Sequence, residues 1–418
     1  MAGNVWKLYL FRGCSGFGKG LLIPIIVLYF LHQGLTLATF TIFWAMLNAA
    51  TIVFEIPTGI IADRFSRKWS ICAGALFDVT AIIILQSTTN LRLMPLGFMS
   101  WGLSQALLSG AVSALLYNSL KADGREAEFQ KTIGTATSIN LAGTVVGAAL
   151  SGVLVNVGGY MWSWLISAIV HVIGATTTFR LQEPPFLAAL RAGEQATSLK
   201  AHWSGYVGHL RISGQVLWRQ RGLLALVFLS LVGARMFILV ERPFAQPFLA
   251  SFGYDTAQIG YFHSLFFLIT ALFAKNSYRF SRVDGPRERT TIVLVALFGL
   301  ASLLVMVNAW QGSVLVAGLL GIYLMKGLFT PLIETSLNQR LASEQRASVL
   351  SMASMGNNLL GIGLGPLFGY LADAFSLSVS LAVFQWTFGS LLVIGILWVW
   401  IALGRTAFLN SSIQRIKI

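Results

Sequence analysis

Charged residues are scarce in this chain, and their scarcity restricts the class of protein. Asp, Glu, Lys and Arg make up 11% of the 418 residues, less than half of the share of about 25% found in soluble globular domains. Apolar residues make up 56% of the chain, and the mean hydropathy is +0.74. This composition excludes a soluble protein and indicates a chain that folds largely in lipid.

Cysteine is rare, and the usual catalytic motifs are missing. The two cysteines, Cys14 and Cys72, both fall in apolar stretches, so neither a disulfide framework nor a metal site is predicted. The chain has no nucleotide-binding glycine loop, no H-E-x-x-H and no evident Ser-His-Asp set. We therefore expect no catalytic residues, no cofactor, no enzymatic activity and no transport driven by ATP.

Long apolar runs dominate the chain instead. Twelve stretches of about 18 to 27 residues are each long enough to cross a hydrocarbon core as a helix. The first carries Arg12 and Lys19 and lacks a small-residue cleavage site, so we expect a retained helix rather than a signal peptide. The sequence thus predicts an all-α integral membrane protein with twelve transmembrane helices. The predicted spans are residues 8–31, 36–61, 69–88, 94–119, 132–156, 160–179, 223–249, 257–278, 290–309, 312–338, 348–372 and 377–403.

The net charge of +14 follows the predicted topology. Of the 29 Lys and Arg residues, 23 fall in the N-terminal segment, the C-terminal tail or loops on one side, and only Arg92 lies in a loop on the other side. By the positive-inside rule, both termini and the long loop 181–221 are cytoplasmic. The distribution of Lys and Arg therefore predicts a multi-pass protein of the cell (inner) membrane. The net positive charge predicts some attraction to anionic lipid, and no nucleic-acid partner is expected.

The two halves of the chain repeat the order of their polar residues. The offsets are nearly constant, from 282 − 67 = 215 to 365 − 147 = 218, which points to an internal duplication. We expect an N-terminal six-helix bundle in residues 1–180, a cytoplasmic linker in 181–221 and a C-terminal six-helix bundle in 222–418. The matching pairs are Arg64-Phe-Ser-Arg67 with Arg279-Phe-Ser-Arg282, Ser119-Leu120 with Ser336-Leu337, and Asn140, Gly143 and Gly147 with Asn358, Gly361 and Gly365.

A charged segment lies between the second and third predicted spans. Gly59, Asp63, Arg64, Arg67 and Lys68 follow the pattern G-x-x-x-D-R-x-x-R-K. This pattern resembles the signature that joins the second and third helices of the major facilitator superfamily. The resemblance implies two pseudo-symmetric bundles with a substrate site between them, and secondary active transport by alternating access.

The same resemblance assigns a gating role to this segment. It implies that Asp63 is a latch that stabilises the outward-facing state, while the basic residues also serve as topology determinants. In the second half Tyr278 takes the place of Asp63, so the latch is expected to be lopsided. The segments 117–124 and 331–351 further resemble a bacterial branch described as drug or small-molecule exporters.

Glycines in the fifth span bear on the direction of transport. Gly143, Gly147 and Gly152 resemble the glycine-rich antiporter motif of drug exporters in the superfamily, although Ala148 stands where the motif has proline. This departure weakens the inference of efflux from the glycines, and plain helix packing is their favoured role, because small residues at this spacing let helices approach closely in lipid. Efflux by an antiporter is favoured, with import of an anionic nutrient left open.

Three basic residues fall near the centres of predicted spans. Lys19, Arg235 and Lys326 together oppose membrane insertion by about 8 to 10 kcal/mol. The resemblance implies that their helices line the central cavity with the fourth, which contributes Gln105, and Glu241 lies in the same set. We predict that these five residues bind a small anionic solute. In the alternative, the charges pair within the protein: Glu241 neutralises Lys326 or Arg235, and Asp78 pairs with another cation.

Acidic residues inside the spans are candidates for proton coupling. They are Glu55, Asp78, Glu241 and Glu334, because a carboxylate in an apolar segment marks an ion or proton pathway. The single histidines His171 and His263 are predicted to be hydrogen-bond partners between helices. A monomeric, proton-coupled transporter is expected, and a receptor or lipid-handling protein without transport is the alternative from another class.

Overall fold

The computed structural model is helical throughout the part of the chain that it describes. This part comprises residues 2–64, 66–184, 208, 211, 214–215, 217–280, 286–341 and 343–416. The side chains of residues 2, 56, 60, 61, 63, 64, 286, 343–345, 347 and 405–416 lie outside the description. Within these ranges there is no strand, as predicted for an all-α membrane protein.

Ten helices of the described residues are long and apolar enough to cross a membrane. A broken pair, bent by 46° between Leu22 and Ile26, raises the number to 11 if it counts as one span. The prediction of twelve spans adds Ser343–Ala374, which is long enough to cross but is not among these ten. Its first half is rich in Ser, Gly and Asn, and these residues lower its hydropathy.

The described residues in the first half of the chain form eight α-helices. They are α1 (Ala2–Leu22), α2 (Ile26–His32), α3 (Leu37–Arg64), α4 (Arg67–Ser87), α5 (Met94–Leu108), α6 (Ala111–Ala122), α7 (Phe129–Gly158) and α8 (Tyr160–Phe179).

Seven further helices of the described chain follow the central linker. They are α9 (Arg221–Leu239), α10 (Ala245–Ser251), α11 (Thr256–Asn276), α12 (Pro286–Val307), α13 (Gly312–Arg340), α14 (Ser343–Ala374) and α15 (Leu377–Ile416).

The chain divides into two compact units. Unit 1 comprises Met1–Trp203 and Asp255–Leu265, and unit 2 comprises Ser204–Tyr254 and Phe266–Ile418. The first turns of α11 therefore belong to unit 1, where Ser264 donates a hydrogen bond of 2.9 Å to the Val145 carbonyl. The predicted division at residues 180 and 222 remains a prediction.

Close backbone packing defines the centre of unit 1. α1 packs along α7 and α8, and α4 packs on α5 and α8. Gly143 and Gly147 of α7 face the α1 backbone so closely that an added Cβ would collide with the carbonyls of Gly13 and Phe17. Small residues permit this approach in lipid, where helix association depends on van der Waals packing.

Aromatic side chains fill one end of unit 1. Phe30, Phe40, Phe98 and Trp164 are fully buried in one cluster, and Tyr29 packs against Trp164 with ring centroids 4.9 Å apart. Rings in tilted and edge-to-face contact gain about 0.5–1.5 kcal/mol per pair beyond their burial. This cluster fixes α2 and α3 against α5 and α8.

The seventh predicted span is broken by a π-helical segment. Val240–Phe244 adopts this wider turn between α9 and α10, and Pro243 lies inside it. Proline removes a backbone donor and disrupts the regular ladder, and π segments occur often at functional sites. The segment places the charged pair Glu241 and Arg242 at a break in the span.

Candidate solute and proton sites

Three ionisable side chains meet inside unit 1. The Asp78 carboxylate oxygen Oδ2 lies 3.8 Å from Lys19 Nζ and 3.7 Å from His171 Nε2. The Asp78 and His171 side chains are each 4% exposed, whereas Lys19 is 38% exposed. We call Lys19, Asp78 and His171 the unit-1 charge centre.

Three different helices supply the charge centre. Lys19 comes from α1, Asp78 from α4 and His171 from α8. Gly18 leaves room for the His171 ring, because an added Cβ there would overlap the imidazole. Ser167 fixes the same contact, since its hydroxyl donates a 3.0 Å hydrogen bond to the Gly18 carbonyl.

The centre changes what sequence reasoning assigned to its members. Lys19 was predicted to bind solute, and Asp78 to be a proton site or, in the alternative, the partner of a cation; the structure places the two 3.8 Å apart. His171 was predicted to be a hydrogen-bond partner between helices, whereas its Nδ1 lies 2.8 Å from the Ser167 carbonyl of its own helix. The contact of its other nitrogen with Asp78 had no signal in the sequence, because the two residues are 93 positions apart (171 − 78 = 93).

Unit 2 contains a cavity of about 410 Å³. Its walls come from α9, α13 and α14 and combine aromatic, small and polar side chains. Lys326 and Glu334 both line it from α13, two helical turns or about 12 Å apart along the axis. The cavity therefore carries a cation and a carboxylate at different depths.

Lys326 is held on aromatic surface. Its ammonium nitrogen lies 3.6 Å from the centroid of the Phe237 ring, and Phe237 packs edge-on against Tyr323 with centroids 4.9 Å apart. A cation over a ring face gains about 0.5–2 kcal/mol, most where water is excluded. This contact stabilises the charge without consuming it in an ion pair.

The Arg235 guanidinium group donates hydrogen bonds to Asn357. The residue is 2% exposed, its Nε donates a 3.0 Å hydrogen bond to Asn357 Oδ1, and Nη2 donates to the Asn357 carbonyl. Gly361, one turn along α14, leaves space for the guanidinium group. The positive charge of Arg235 is therefore solvated by hydrogen bonds to neutral oxygens.

Glu241 lies beside the arginine next to it in the chain. Its Oε2 is 3.7 Å from Arg242 Nε, and its side chain is 8% exposed. The charges of Glu241 and Arg242 also act on Lys326. Neutralisation of Lys326 by Glu241 and binding of a solute by Lys326 both remain predictions.

The remaining predicted site residues have simpler surroundings. Gln105 is exposed, Glu55 is half-buried on α3, and Glu334 is exposed at the cavity wall. Gly59 is exposed as well, while the side chains of Asp63 and Arg64 lie outside the described residues. The predicted latch at Asp63 therefore remains a prediction.

A carboxylate does engage the gating segment, and it comes from the start of the linker. Glu183 Oε1 accepts hydrogen bonds of 2.6 Å from the Arg67 backbone N–H and 3.3 Å from that of Lys68. These groups are the free donors at the N-terminus of α4, where a negative charge is favourable. The sequence analysis placed this residue only within the linker 181–221.

The chain around Glu183 is tied to α1 on its other side. The Asn4 side chain donates to the Gln182 carbonyl at 2.6 Å and accepts from the Gln182 N–H at 3.0 Å. Asn4 also donates to Ser119 Oγ at 2.9 Å. Residues 182–183 therefore join α1, α4 and α6 at one end of unit 1, which we call the linker end.

Unit 2 has an ion pair that the sequence did not reveal. Arg340 of α13 makes bidentate hydrogen bonds of 2.7 and 2.8 Å to the carboxylate of Glu288 in α12, and it also donates to Ser336 Oγ at 2.7 Å. Bidentate pairs of this type are among the stronger polar contacts. Tyr278, at the position that matches Asp63, is instead 65% exposed.

Known proteins resemble this chain over nearly its whole length. The sequence model of the Major Facilitator Superfamily matches residues 8–247 and 242–412. A curated relative, the uncharacterized MFS-type transporter YxaM of Bacillus subtilis (strain 168), is 21% identical over 377 residues, which cover 90% of this chain and 91% of the relative.

Solved structures show the same fold. The nucleoside transporter NupG superposes with a TM-score of 0.73 at 16% identity, covering 96% of this chain and 98% of its own. The D-xylose-proton symporter superposes with a TM-score of 0.70 at 13% identity, covering 95% and 97%. These likenesses concern the fold alone.

Proposed function

Because the chain belongs to the Major Facilitator Superfamily, whose members are multi-pass membrane transporters and not enzymes, we propose that it exports a small organic anion in exchange for protons. The superfamily and the curated relative make it a transporter. The anionic solute, the coupling to protons, the outward direction and a location in the cell membrane are our proposal.

The observation that carries the proposal is the position of Lys326. Its ammonium group lines the unit-2 cavity and, among the residues that the structure describes, rests on Phe237 instead of a carboxylate at ion-pair distance. A charge at this depth in a membrane costs about 2.5–3.5 kcal/mol to insert, and intramembrane charges of this kind mark solute or ion pathways. A solute carboxylate or phosphate would supply a counter-charge at ion-pair distance.

The rest of unit 2 supports a positive solute site. Arg235 is solvated by Asn357, and Glu241 lies 3.7 Å from Arg242. An anion could therefore balance the charge of Lys326 and Arg235. Asn357 lines the cavity too and offers polar atoms to the same solute.

Transport assays in proteoliposomes test this function. With an imposed pH gradient, we expect accumulation of anionic solutes from a panel that also contains cationic and neutral ones. The variant K326Q should reduce anion transport at least tenfold, because the cavity loses its cation. Lys275→Gln, at an exposed lysine of α11, is the matched control and should transport normally.

The same vesicles decide direction and the competing functions. Export predicts accumulation in inside-out vesicles with an acidic interior, whereas accumulation only in right-side-out vesicles with an acidic exterior would identify an importer. Uptake of neutral or cationic solutes that K326Q leaves unchanged would overturn the anion proposal. Binding of a solute or lipid with no flux under any gradient would indicate a receptor.

A further inference from the structure

The unit-1 charge centre contains two hydrogen-bond acceptors that face each other. The His171 Nδ1 atom lies 2.8 Å from the Ser167 carbonyl oxygen, which can only accept, so Nδ1 carries the proton of the neutral ring. The other nitrogen, Nε2, then presents a lone pair toward Asp78 Oδ2, 3.7 Å away. In this tautomer neither Nε2 nor the ionised carboxylate has a hydrogen to donate to the other.

Burial makes this arrangement unfavourable unless it has a use. Within the described residues, His171 Nε2 is buried and has no hydrogen-bond partner, and a buried polar group without a partner keeps the full penalty of its lost hydration. The Asp78 carboxylate contacts Lys19 and His171 at 3.8 and 3.7 Å, longer than a hydrogen bond. A proton between Asp78 Oδ2 and His171 Nε2 would give both atoms a hydrogen-bond partner and so stabilise the pair.

Lys19 competes with that proton for the same oxygen atom. Its ammonium group and His171 Nε2 approach Oδ2 of Asp78 from two different helices. The Lys19 side chain is 38% exposed, so it can move away from Asp78 without entering the packed interior. When Lys19 leaves, the carboxylate loses its counter-charge and its affinity for a proton rises.

We propose that Asp78 and His171 form a proton-binding site inside unit 1 whose occupancy is controlled by Lys19. The proton comes from hydronium, which leaves as water, and is shared between Asp78 Oδ2 and His171 Nε2. With Lys19 on Asp78 the proton is expelled, and with Lys19 withdrawn it is bound. The site deepens the proton coupling in the proposed function, on which its role in transport rests, but the binding of the proton itself needs no solute.

Among the described residues, Lys19 and His171 are the ionisable side chains at ion-pair distance from the Asp78 carboxylate. α1, α4 and α7 pack on α8, and α3, α5 and α6 pack on α4. On α1 and α4, the other ionisable side chains precede Lys19 and Asp78 by at least 19 − 14 = 5 and 78 − 72 = 6 residues, or about 7 Å. The other ionisable residues of these helices are Lys7, Tyr9, Arg12 and Cys14 on α1, Glu55, Asp63 and Arg64 on α3, Arg67, Lys68 and Cys72 on α4, Tyr117 and Lys121 on α6, Lys131 on α7 and Tyr160 on α8.

The duplicated plan of the chain gives Lys19 a counterpart with a different partner. Lys19 corresponds to Arg235 at an offset of 235 − 19 = 216, within the range of the other matched pairs. Arg235, however, is bonded to the Asn357 amide instead of a carboxylate. The cation is therefore repeated in unit 2, while its acidic partner is not.

The other two members of the charge centre have no ionisable counterparts. At the offsets of 215 to 218 that relate the matched pairs, Asp78 falls within residues 293–296 (Val-Leu-Val-Ala) and His171 within residues 386–389 (Trp-Thr-Phe-Gly). None of these side chains exchanges protons near neutral pH. The duplicated plan thus makes the proposed proton site particular to unit 1.

Nuclear magnetic resonance of the histidine rings tests the site directly. Full-length protein with ¹⁵N-labelled histidine in lipid nanodiscs has five histidines, and loss of one signal set in H171Q assigns His171. At high pH we expect the neutral Nδ1–H tautomer. In K19Q the doubly protonated ring, or a protonated Asp78 carboxyl, should be about tenfold more populated at a given pH, since a nearby cation is removed.

Two further variants provide the controls. In D78N the His171 ring should lose its response to K19Q, because the shared oxygen is gone. His263 is the matched control: its Nδ1 contacts the Ile259 carbonyl at 2.9 Å in the same manner, and its titration should be unchanged in D78N and K19Q. The tautomer is measured in the wild-type protein and does not depend on any variant folding.

Two results would overturn the proposal. One is an Nε2–H tautomer of His171 at high pH, and the other is a His171 and Asp78 titration that K19Q leaves unchanged. The outcomes separate the site from the proposed function. Failed titration with intact pH-driven transport refutes the site alone, whereas the expected titration without pH-driven transport keeps the proton site and refutes proton-coupled export.

Discussion

Three cations inside the predicted spans are stabilised in three different ways. Lys19 lies near a carboxylate, Lys326 lies over an aromatic ring, and Arg235 donates to an amide. The first arrangement cancels the charge, and the other two retain it. At the scale of single residues, the two cations that retain their charge, Lys326 and Arg235, both belong to unit 2. Their charge would attract an anionic solute.

The position of the Arg235 guanidinium group depends on Gly361, which has no side chain. A Cβ added at Gly361 would lie 2.5 Å from Arg235 Nη1 and 2.8 Å from Cζ. Gly361→Ala should therefore displace the guanidinium from Asn357 and destabilise the protein by about 1–3 kcal/mol, the usual cost of overpacking. Thermal unfolding of the purified protein measures this loss.

Gly363 of the same helix is the matched control for this prediction. Among the described residues, nothing lies within 4 Å of a Cβ added there. Gly363→Ala should therefore leave the unfolding temperature within about 1 °C or raise it slightly, because alanine favours helix. Equal stability of the Gly361 and Gly363 variants would show that Arg235 is not confined by Gly361.

At the scale of helices, the linker end of unit 1 is a junction rather than a simple turn. Glu183 caps α4, and Asn4 of α1 holds the adjacent residue Gln182. The N-cap residue Ser66 adds a neutral contact, since its hydroxyl accepts from the Trp69 N–H at 3.2 Å. A movement of α4 relative to α1 would therefore strain the start of the linker.

Removal of the Glu183 carboxylate should weaken this junction in two steps. Glu183→Gln keeps an acceptor but loses the charge at the helix N-terminus, at a cost of about 0.3–1 kcal/mol. Glu183→Ala loses the acceptor as well and should cost about 1–2 kcal/mol. Unfolding midpoints measured at low and high salt should show that only the smaller, charge-dependent part is screened.

Ser66→Ala serves as the comparison for the Glu183 variants. It removes a cap from the same helix without changing the charge, so its effect should be independent of salt. A Glu183→Ala protein as stable as the wild type would show that the contact with Arg67 and Lys68 contributes nothing to unit 1.

At the scale of the whole molecule, the sequence predicted the helical class, the spans and the family, because all three follow from long apolar runs and one local motif. It did not predict the partners of the buried charges. Asp78 meets His171, and Glu288 meets Arg340, across helices whose relative rotation the hydropathy pattern leaves undetermined. Contacts of this kind depend on tertiary packing.

The two proposed sites divide the work of transport between the two units. Proton binding is assigned to the Asp78–His171 pair of unit 1, and solute binding to the Lys326 cavity of unit 2. If coupling requires both, a variant of the proton site should still bind solute and exchange it across the membrane at equilibrium. It should fail only in accumulation against a gradient.

This division predicts opposite phenotypes for two neutralising variants in the same vesicles. D78N should retain solute exchange between equal concentrations within about twofold of wild type, yet lose pH-driven accumulation, because no proton is carried with the cycle. K326Q should lose both activities, since its cavity no longer attracts the anion. The measurement is radiolabelled exchange and net uptake side by side, with Lys275→Gln as the unaffected control. Loss of exchange in D78N at normal expression and stability would show that the unit-1 charge centre also binds solute, as the sequence alone had suggested for Lys19.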